Sequence, residues 1–204
     1  MRVVLSSVSK VFGRETVIRD LSQVFEPGSR TAILGPNGSG KSTLLQLIGG
    51  ISIPSKGTVT HEANGRTIDP EHVYRRISIA APYMSLYEEL SLREAIGSHR
   101  RFKPLRGNLA VEEVARIALL EKHLDKPVRD FSSGMKQRLK LTLAILSDTS
   151  LLLLDEPTSN LDANGSGWFR DLLGKNIAAR TLVVASNRQT EETFACSVSV
   201  DMGV

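Results

Sequence analysis

The stretch Gly35-Pro36-Asn37-Gly38-Ser39-Gly40-Lys41-Ser42-Thr43 has the spacing G-x-x-x-x-G-K-[ST], which suits the holding of a polyphosphate. Its glycines let successive backbone N–H groups turn toward one anion without a Cβ in the way. A helix opening near Gly40 adds the positive end of its dipole. Lys41 is then placed to reach the β- and γ-phosphates, and Ser42 to ligate Mg2+. Further on, the apolar run 151–154 ends in Asp155 and Glu156. That puts two carboxylates at the C-terminal end of a buried strand, where ligands of open α/β sheets bind. Beside a bound polyphosphate, Asp155 would hold Mg2+ through water and Glu156 would polarise an attacking water. Taken singly, the two segments also read as a glycine-rich turn and as a strand running into an acidic turn.

A second segment has the chemistry of an anion site. Residues 131–140 read FSSGMKQRLK, two hydroxyls and a glycine ahead of a basic amphipathic run that should be helical. Ser132 or Ser133 could equally be a plain helix N-cap. The chain thus carries two candidate anion sites, and that raises the question of why one modest domain needs both.

At this point the chain resembles the ATP-binding subunits of ABC transporters, and the resemblance spans almost all of it. GPNGSGKST is similar to their Walker A, LLLLDEP to Walker B, and Ser159-Asn160-Leu161-Asp162 to the D-loop. FSSGMKQR corresponds to the signature segment, usually L-S-G-G-Q; Phe131, Ser133 and Met135 depart from it, and Ser132 and Gly134 are retained. KVFG near the start resembles the A-loop, in which Phe12 would stack on adenine; a core role is the other reading of that phenylalanine. The resemblance implies a homo- or heterodimer of cassettes docked head to tail. Ser132, Ser133, Gly134 and Met135 of one chain would then cover the ATP held by Lys41 of the other. It further implies a separate transmembrane permease and a place on the cytoplasmic face of the membrane.

Two positions depart from the family pattern. A glutamine usually stands where the core strand enters the helical insertion; here that stretch reads ISIAAPYMSLYEEL and Pro82 falls at the place. Proline offers neither a side-chain oxygen nor a backbone donor. The family's strand-end histidine is replaced by Asn187, which can donate an amide hydrogen bond but cannot carry positive charge. Losing such a contact to the transition state costs on the order of a hundredfold in rate. Expected, therefore, is an ATPase with MgATP bound well and slow intrinsic turnover, Glu156 and Asn187 being its catalytic residues. A catalytically weakened regulatory subunit of a heteromeric transporter and a soluble non-transport ABC ATPase are the alternatives.

The elements that must position these residues follow from pattern. Segments 2–5, 16–21 and 29–34 are strand-like, and 41–48 reads as a helix closed by Gly49 and Gly50. GTVTHEANGR looks like a hairpin turning at Asn64-Gly65. Residues 91–121 carry helical spacing with breaks at KPLRGN. The continuous apolar runs 151–154 and 181–186 suit strands buried on both faces. The expectation is an α/β P-loop NTPase core with a mostly parallel sheet and an N-terminal antiparallel β portion. A helical subdomain, residues 88–135, is inserted into a single ABC-type domain spanning 1–204.

Composition narrows the setting. With 41% hydrophobic and 24% charged residues, a folded core is expected rather than disorder. The net charge of +4 fits an anionic ligand or surface as well as it fits nucleic acid, and direct nucleic-acid binding is not expected. Cys196 is the sole cysteine, so no internal disulfide can form and a reducing compartment fits best. The apolar start is too short for a signal peptide, and no run approaches the roughly 20 residues that span a bilayer. The basic run 98–106, SHRRFKPLR, reads as a solvated face or as a surface near the permease's cytoplasmic loops or lipid headgroups.

Overall fold

The computed structural model describes residues 1–202, and the chain divides into two compact units. The first comprises residues 1–79, 149–156 and the C-terminal segment from Ala179.

This unit opens with two long strands, β1 (Arg2–Phe12) and β2 (Glu15–Phe25), paired antiparallel around a turn at Gly13-Arg14. They run well beyond the short strands expected from pattern. The reason is visible in the register shifts between Leu5 and Val11, where bulges break the strict alternation that sequence reading relies on. Strand β4 (Lys56–Ala63) pairs with the other edge of β1, and β5 (Arg66–Thr67) completes the hairpin turning at Asn64-Gly65.

The second sheet carries the chemistry. Strands β3 (Arg30–Leu34), β6 (Ile77–Ala80), β7 (Leu151–Asp155), β8 (Thr181–Ser186) and β9 (Val198–Asp201) stand in the order β6-β7-β8-β3-β9. The β7–β8, β8–β3 and β3–β9 pairs are parallel. Every residue of β7 and β8 is buried, which explains their unbroken apolar runs. Helix α1 (Lys41–Ile48) follows β3 directly and buries Leu44, Leu45, Leu47 and Ile48 completely. Each such side chain contributes roughly 2 kcal/mol through the apolar area removed from water. The buried His61 imidazole donates from Nε2 to the Ile48 carbonyl at 2.7 Å, satisfying one of the acceptors left open where α1 ends. Burial holds the His61 pKa below the usual histidine value, the carbonyl bond opposing it only in part. At the far end of the sheet, Arg180 donates to the hydroxyls of Ser78 and Thr149, tying the approaches to β6, β7 and β8 together. Two one-turn helices complete the unit, α2 (Pro70–Val73) and α7 (Thr190–Thr193).

The second unit comprises residues 80–148 and 157–178. Its helices are α3 (Leu92–Phe102), α4 (Val111–Ile117), α5 (Ser133–Leu146) and α6 (Ala163–Asn176). Ser91 and Glu94 form a reciprocal capping box at the start of α3, and basic residues fill its last turn, both complementing the helix dipole. The helical spacing of VEEVARIALLEKHL stops at Ile117, because Leu119 takes a left-handed φ of 59° and only a single turn of tighter helix follows at 121–123. Trp168 of α6 donates from Nε1 to the Ile117 carbonyl at 2.7 Å, so the indole both packs and closes the end of α4. On α3, His99 Nε2 meets Ser147 Oγ at 2.9 Å, and that hydroxyl donates in turn to the Leu143 carbonyl of α5. The serine therefore accepts, which makes His99 Nε2 the donor. Burial, with Lys103 nearby, pushes its pKa down to about 4. No helix among the described residues is long and apolar enough to cross a membrane.

Candidate functional site

The turn from β3 into α1 is tightly constrained. Gly40, the residue ahead of α1, has φ 92° and ψ 8°. A Cβ there would lie 2.8 Å from Val17 Cγ1 and 3.2 Å from the Val17 carbonyl, so both conformation and space demand glycine. Lys41 enters the helix with only 4% of its surface exposed. Its ammonium folds back into the loop and donates to the carbonyls of Gly35 at 2.8 Å and Pro36 at 2.9 Å. A buried cation held by two backbone carbonyls, with a third donor left over, is a charge awaiting an anion.

Lys41, Ser42 and Thr43 line a cavity of about 320 Å3 together with Asn37, Gly38 and Gly40. Phe12, Val17 and Glu156 complete its wall. The cavity thus brings the loop, the aromatic of the β1–β2 turn and one carboxylate together. Phe12 is half exposed, and the Lys10 ammonium stands 5.0 Å from its ring centroid while donating to the Ile53 carbonyl. One face of the ring is thereby occupied by a cation. A larger hollow of about 540 Å3, lined by Arg66, Asp69, His72 and Arg76 among others, contains none of the motif residues.

The two carboxylates at the end of β7, Asp155 and Glu156, differ. Asp155 is buried, and neither of its oxygens completes a hydrogen bond. Burial raises its pKa most; Glu156 and Glu192 add to the rise, while the nearby Ser42 hydroxyl and Lys41 ammonium oppose it. The Ser42 hydroxyl is close enough to favour the charged form without forming a well-aligned bond. Two orphaned oxygens beside a serine hydroxyl and a buried ammonium are a fit for a hydrated divalent cation. Glu156 is half-buried and sits at a left-handed φ of 44°, its N–H donating to the Ala185 carbonyl at 2.9 Å. For a residue with a Cβ that conformation costs about 1–3 kcal/mol and marks a position where geometry outranks stability.

Asn187, on the turn after β8, is exposed and does not line the cavity. The neighbouring Ser186 hydroxyl donates to the Glu192 carboxylate and accepts from the Gln189 N–H at 3.1 Å. Glu192 is a buried acid that sequence reading missed. In TEET it looks like an ordinary solvated pair, and only the one-turn α7 rotates it inward. Val17 was missed as well, since a strand valine gives no sign that it stands over a loop glycine.

In the second unit, Ser132 is the N-cap of α5, its Oγ accepting from the Met135 N–H at 3.3 Å. Ser132 and Ser133 are exposed, and Gly134 and Met135 partly so. A Cβ on Gly134 would come within 3.1 Å of the Asn160 carbonyl, so the start of α5 and residues 159–162 are close neighbours. Asn160 takes a left-handed φ of 63° between Ser159 and Leu161, and Asp162 caps α6 by accepting from the Gly165 N–H at 2.7 Å. Buried Gln137 donates to the Pro157 carbonyl, and Lys136 pairs with Glu88 at 2.6 Å. Glu89 pairs with Arg129 at 2.7 Å, so both acids of YEEL are engaged at home. Pro82 lies exposed at the second position of a turn closed by Met84 N–H on the Ala81 carbonyl, a place that suits its fixed φ.

Comparison with known proteins agrees with this arrangement. A sequence model of the ABC transporter family matches residues 18–159. The glucose import ATP-binding protein GlcV of Saccharolobus solfataricus is 35% identical over 200 residues, covering 92% of this chain and 56% of that protein. The Nod factor export ATP-binding protein I of Rhizobium johnstonii is 31% identical over 196 residues, covering 94% and 63%. The chain thus spans somewhat more than half the length of these relatives. Among solved structures, the dimeric bacterial ABC transporter cassette MJ0796 superposes with a TM-score of 0.82 at 24% identity, covering 98% of this chain and 95% of that one. An ATP-binding subunit of an ABC transporter gives 0.82 at 25% identity, with coverages of 98% and 85%.

Proposed function

Because the chain belongs to the ABC transporter family, we propose that it is an ATP-binding and slowly hydrolysing cassette that powers transport by closing against a second cassette. The observation that carries this reading is the cavity in which Lys41, Ser42, Phe12 and Glu156 meet. ATP fits there with its adenine on Phe12 and its phosphates on the loop. Lys41 exchanges the Gly35 and Pro36 carbonyls for β- and γ-phosphate oxygens, and Gly38–Gly40 direct backbone N–H groups at the same anion. Ser42 and Asp155 would hold Mg2+, which when bound neutralises charge on the phosphates. Glu156, held in its left-handed conformation, accepts hydrogen bonding from the attacking water and aligns it with the γ-phosphorus.

Two features make the turnover slow. Asn187 lies outside the cavity and is neutral, so the γ-phosphate gains no charged donor from that turn. Pro82 replaces the family's glutamine and has no side-chain amide to offer. The open side of the γ-phosphate is covered by Ser132, Ser133, Gly134 and Met135 of a second cassette, identical or related, with Ser159–Asp162 beside them. The helical subdomain, residues 88–135, would pass closure to a separate membrane-spanning permease on the cytoplasmic face. The exposed position of Asn187 also favours a second reading, a regulatory ATP-binding partner of a more active cassette.

Steady-state turnover of the purified chain tests the reading. Slow hydrolysis, abolished by Glu156→Gln with ATP binding retained, is the expected result. Fast turnover would remove the argument from Asn187 and Pro82, and hydrolysis by Glu156→Gln at the wild-type rate would remove Glu156 as the base.

A further inference from the structure

Phe12 is the last residue of β1, and its pairing with Glu15 closes the β1–β2 ribbon around the Gly13-Arg14 turn. Half of its surface is exposed. An exposed aromatic at the tip of a ribbon changes rotamer readily unless something holds the ring. Ordering such a ring on binding costs free energy that a ring already in place does not. A stacking platform built on Phe12 therefore needs a brace.

Lys10 has the geometry of one. Its ammonium stands 5.0 Å from the Phe12 ring centroid and donates to the Ile53 carbonyl at 2.7 Å. That carbonyl belongs to a segment laid along β1. The Ser55 N–H donates to the Ser9 carbonyl at 2.8 Å, and the Val11 N–H donates to the Ser55 hydroxyl at 3.0 Å. The ammonium is thus fixed in space rather than sweeping on its flexible four-carbon stem. Among the described residues the ion pairs of this unit are made by Arg2 and Arg188, so no carboxylate draws Lys10 away from the ring. Phe12 lines the nucleotide cavity and Lys10 does not, which puts the cation behind the ring and leaves the cavity side open.

We propose that Lys10 is the positioning residue of the base platform, its ammonium holding Phe12 from behind so that adenine stacks on a ring already in place. The inference rests on the placement of adenine on Phe12 given above. A cation is drawn to the negative face of an aromatic ring, which fixes the ring's orientation. The same attraction pulls π density toward the cation and lowers the repulsion between the ring and a base stacked on its other face. Lys10 acts through Phe12 and touches no part of the nucleotide. A lysine serving only as positive charge for the phosphates would favour inorganic pyrophosphate as much as a nucleotide, and that difference separates the two roles.

Isothermal titration of the full chain with ADP and with inorganic pyrophosphate tests it. Lys10→Gln keeps a donor for the Ile53 carbonyl and removes the charge. It should weaken ADP by about fourfold and leave pyrophosphate within about twofold. Lys10→Arg keeps a cation over the ring and should bind ADP within about twofold of wild type. Phe12→Ala should weaken ADP by about tenfold, the worth of one base stacked on an aromatic. In that background Lys10→Gln should change ADP affinity by less than about twofold, because the group it acts through is gone. Circular dichroism and the unfolding midpoint of each variant establish that the fold is intact. If Phe12→Ala weakens ADP and Lys10→Gln does not, the inference alone fails. It fails equally if Lys10→Gln weakens pyrophosphate as much as ADP, or costs as much without Phe12 as with it. If Phe12→Ala binds ADP as wild type, the placement of adenine is wrong and the inference falls with it.

Discussion

Around Gly40 polar groups stand unmet, whereas around Ser132 they are satisfied locally. In the first region Lys41 is a buried cation on two carbonyls, Asp155 has two oxygens without partners, and Glu156 holds a left-handed backbone. In the second, the Ser132 hydroxyl caps its own helix, Lys136 pairs with Glu88, and Gln137 is bonded to Pro157. Unmet polar groups in a cavity are built to receive a ligand and carry its binding energy. Satisfied ones at an exposed helix start gain their role only when something is brought to them. On the function proposed above, the loop would bind nucleotide alone, whereas the segment 132–135 would act on nucleotide delivered by another chain.

The largest effect expected from a single change falls on the first region. Gly40→Ala places a Cβ against Val17 at a positive φ, and should destabilise the chain by about 3 kcal/mol while abolishing tight nucleotide binding. Calorimetric unfolding with and without MgATP checks both. Near-wild-type stability would mean that the loop is looser than its geometry indicates.

Acid should act on the helical unit, away from Ser132. The His99 pKa is held near 4 in the fold against 6.5 for an ordinary histidine, so the unfolded chain takes up the proton first. Stability is therefore fully present above pH 6.5 and is lost as pH falls toward about 4, by about 2 kcal/mol once partial exposure is allowed for. Trp168, the only tryptophan, lies in the same unit and reports this in urea titrations. His99→Gln should flatten the dependence.

The smallest effect sharpens the comparison most. Ser132→Ala should cost about 1 kcal/mol as a lost cap, measured by thermal unfolding, and leave the nucleotide affinity of the isolated chain unchanged. Weakened binding by the single chain would erase the distinction between the two regions.

Much of the first region was legible in sequence because its chemistry is local. The spacing of 35–43 dictates strand, turn and helix in one stretch, and α1 occupies the expected 41–48. Asn64-Gly65 likewise signals its hairpin by itself. What escaped depends on distant contact or on broken alternation. The bulged β1–β2 ribbon hides its length, and β9 is a short, largely exposed edge strand. Glu192 becomes a buried acid only through the rotation of a one-turn helix.

The central claim is that nucleotide is enclosed by two chains, one supplying the cradle and the other the cover. Sedimentation velocity of Glu156→Gln with MgATP, alone and mixed with any related cassette and its permease, tests it most directly. A dimer that forms with MgATP and dissolves when nucleotide is removed is the predicted result. A monomer under every one of those conditions would contradict the account.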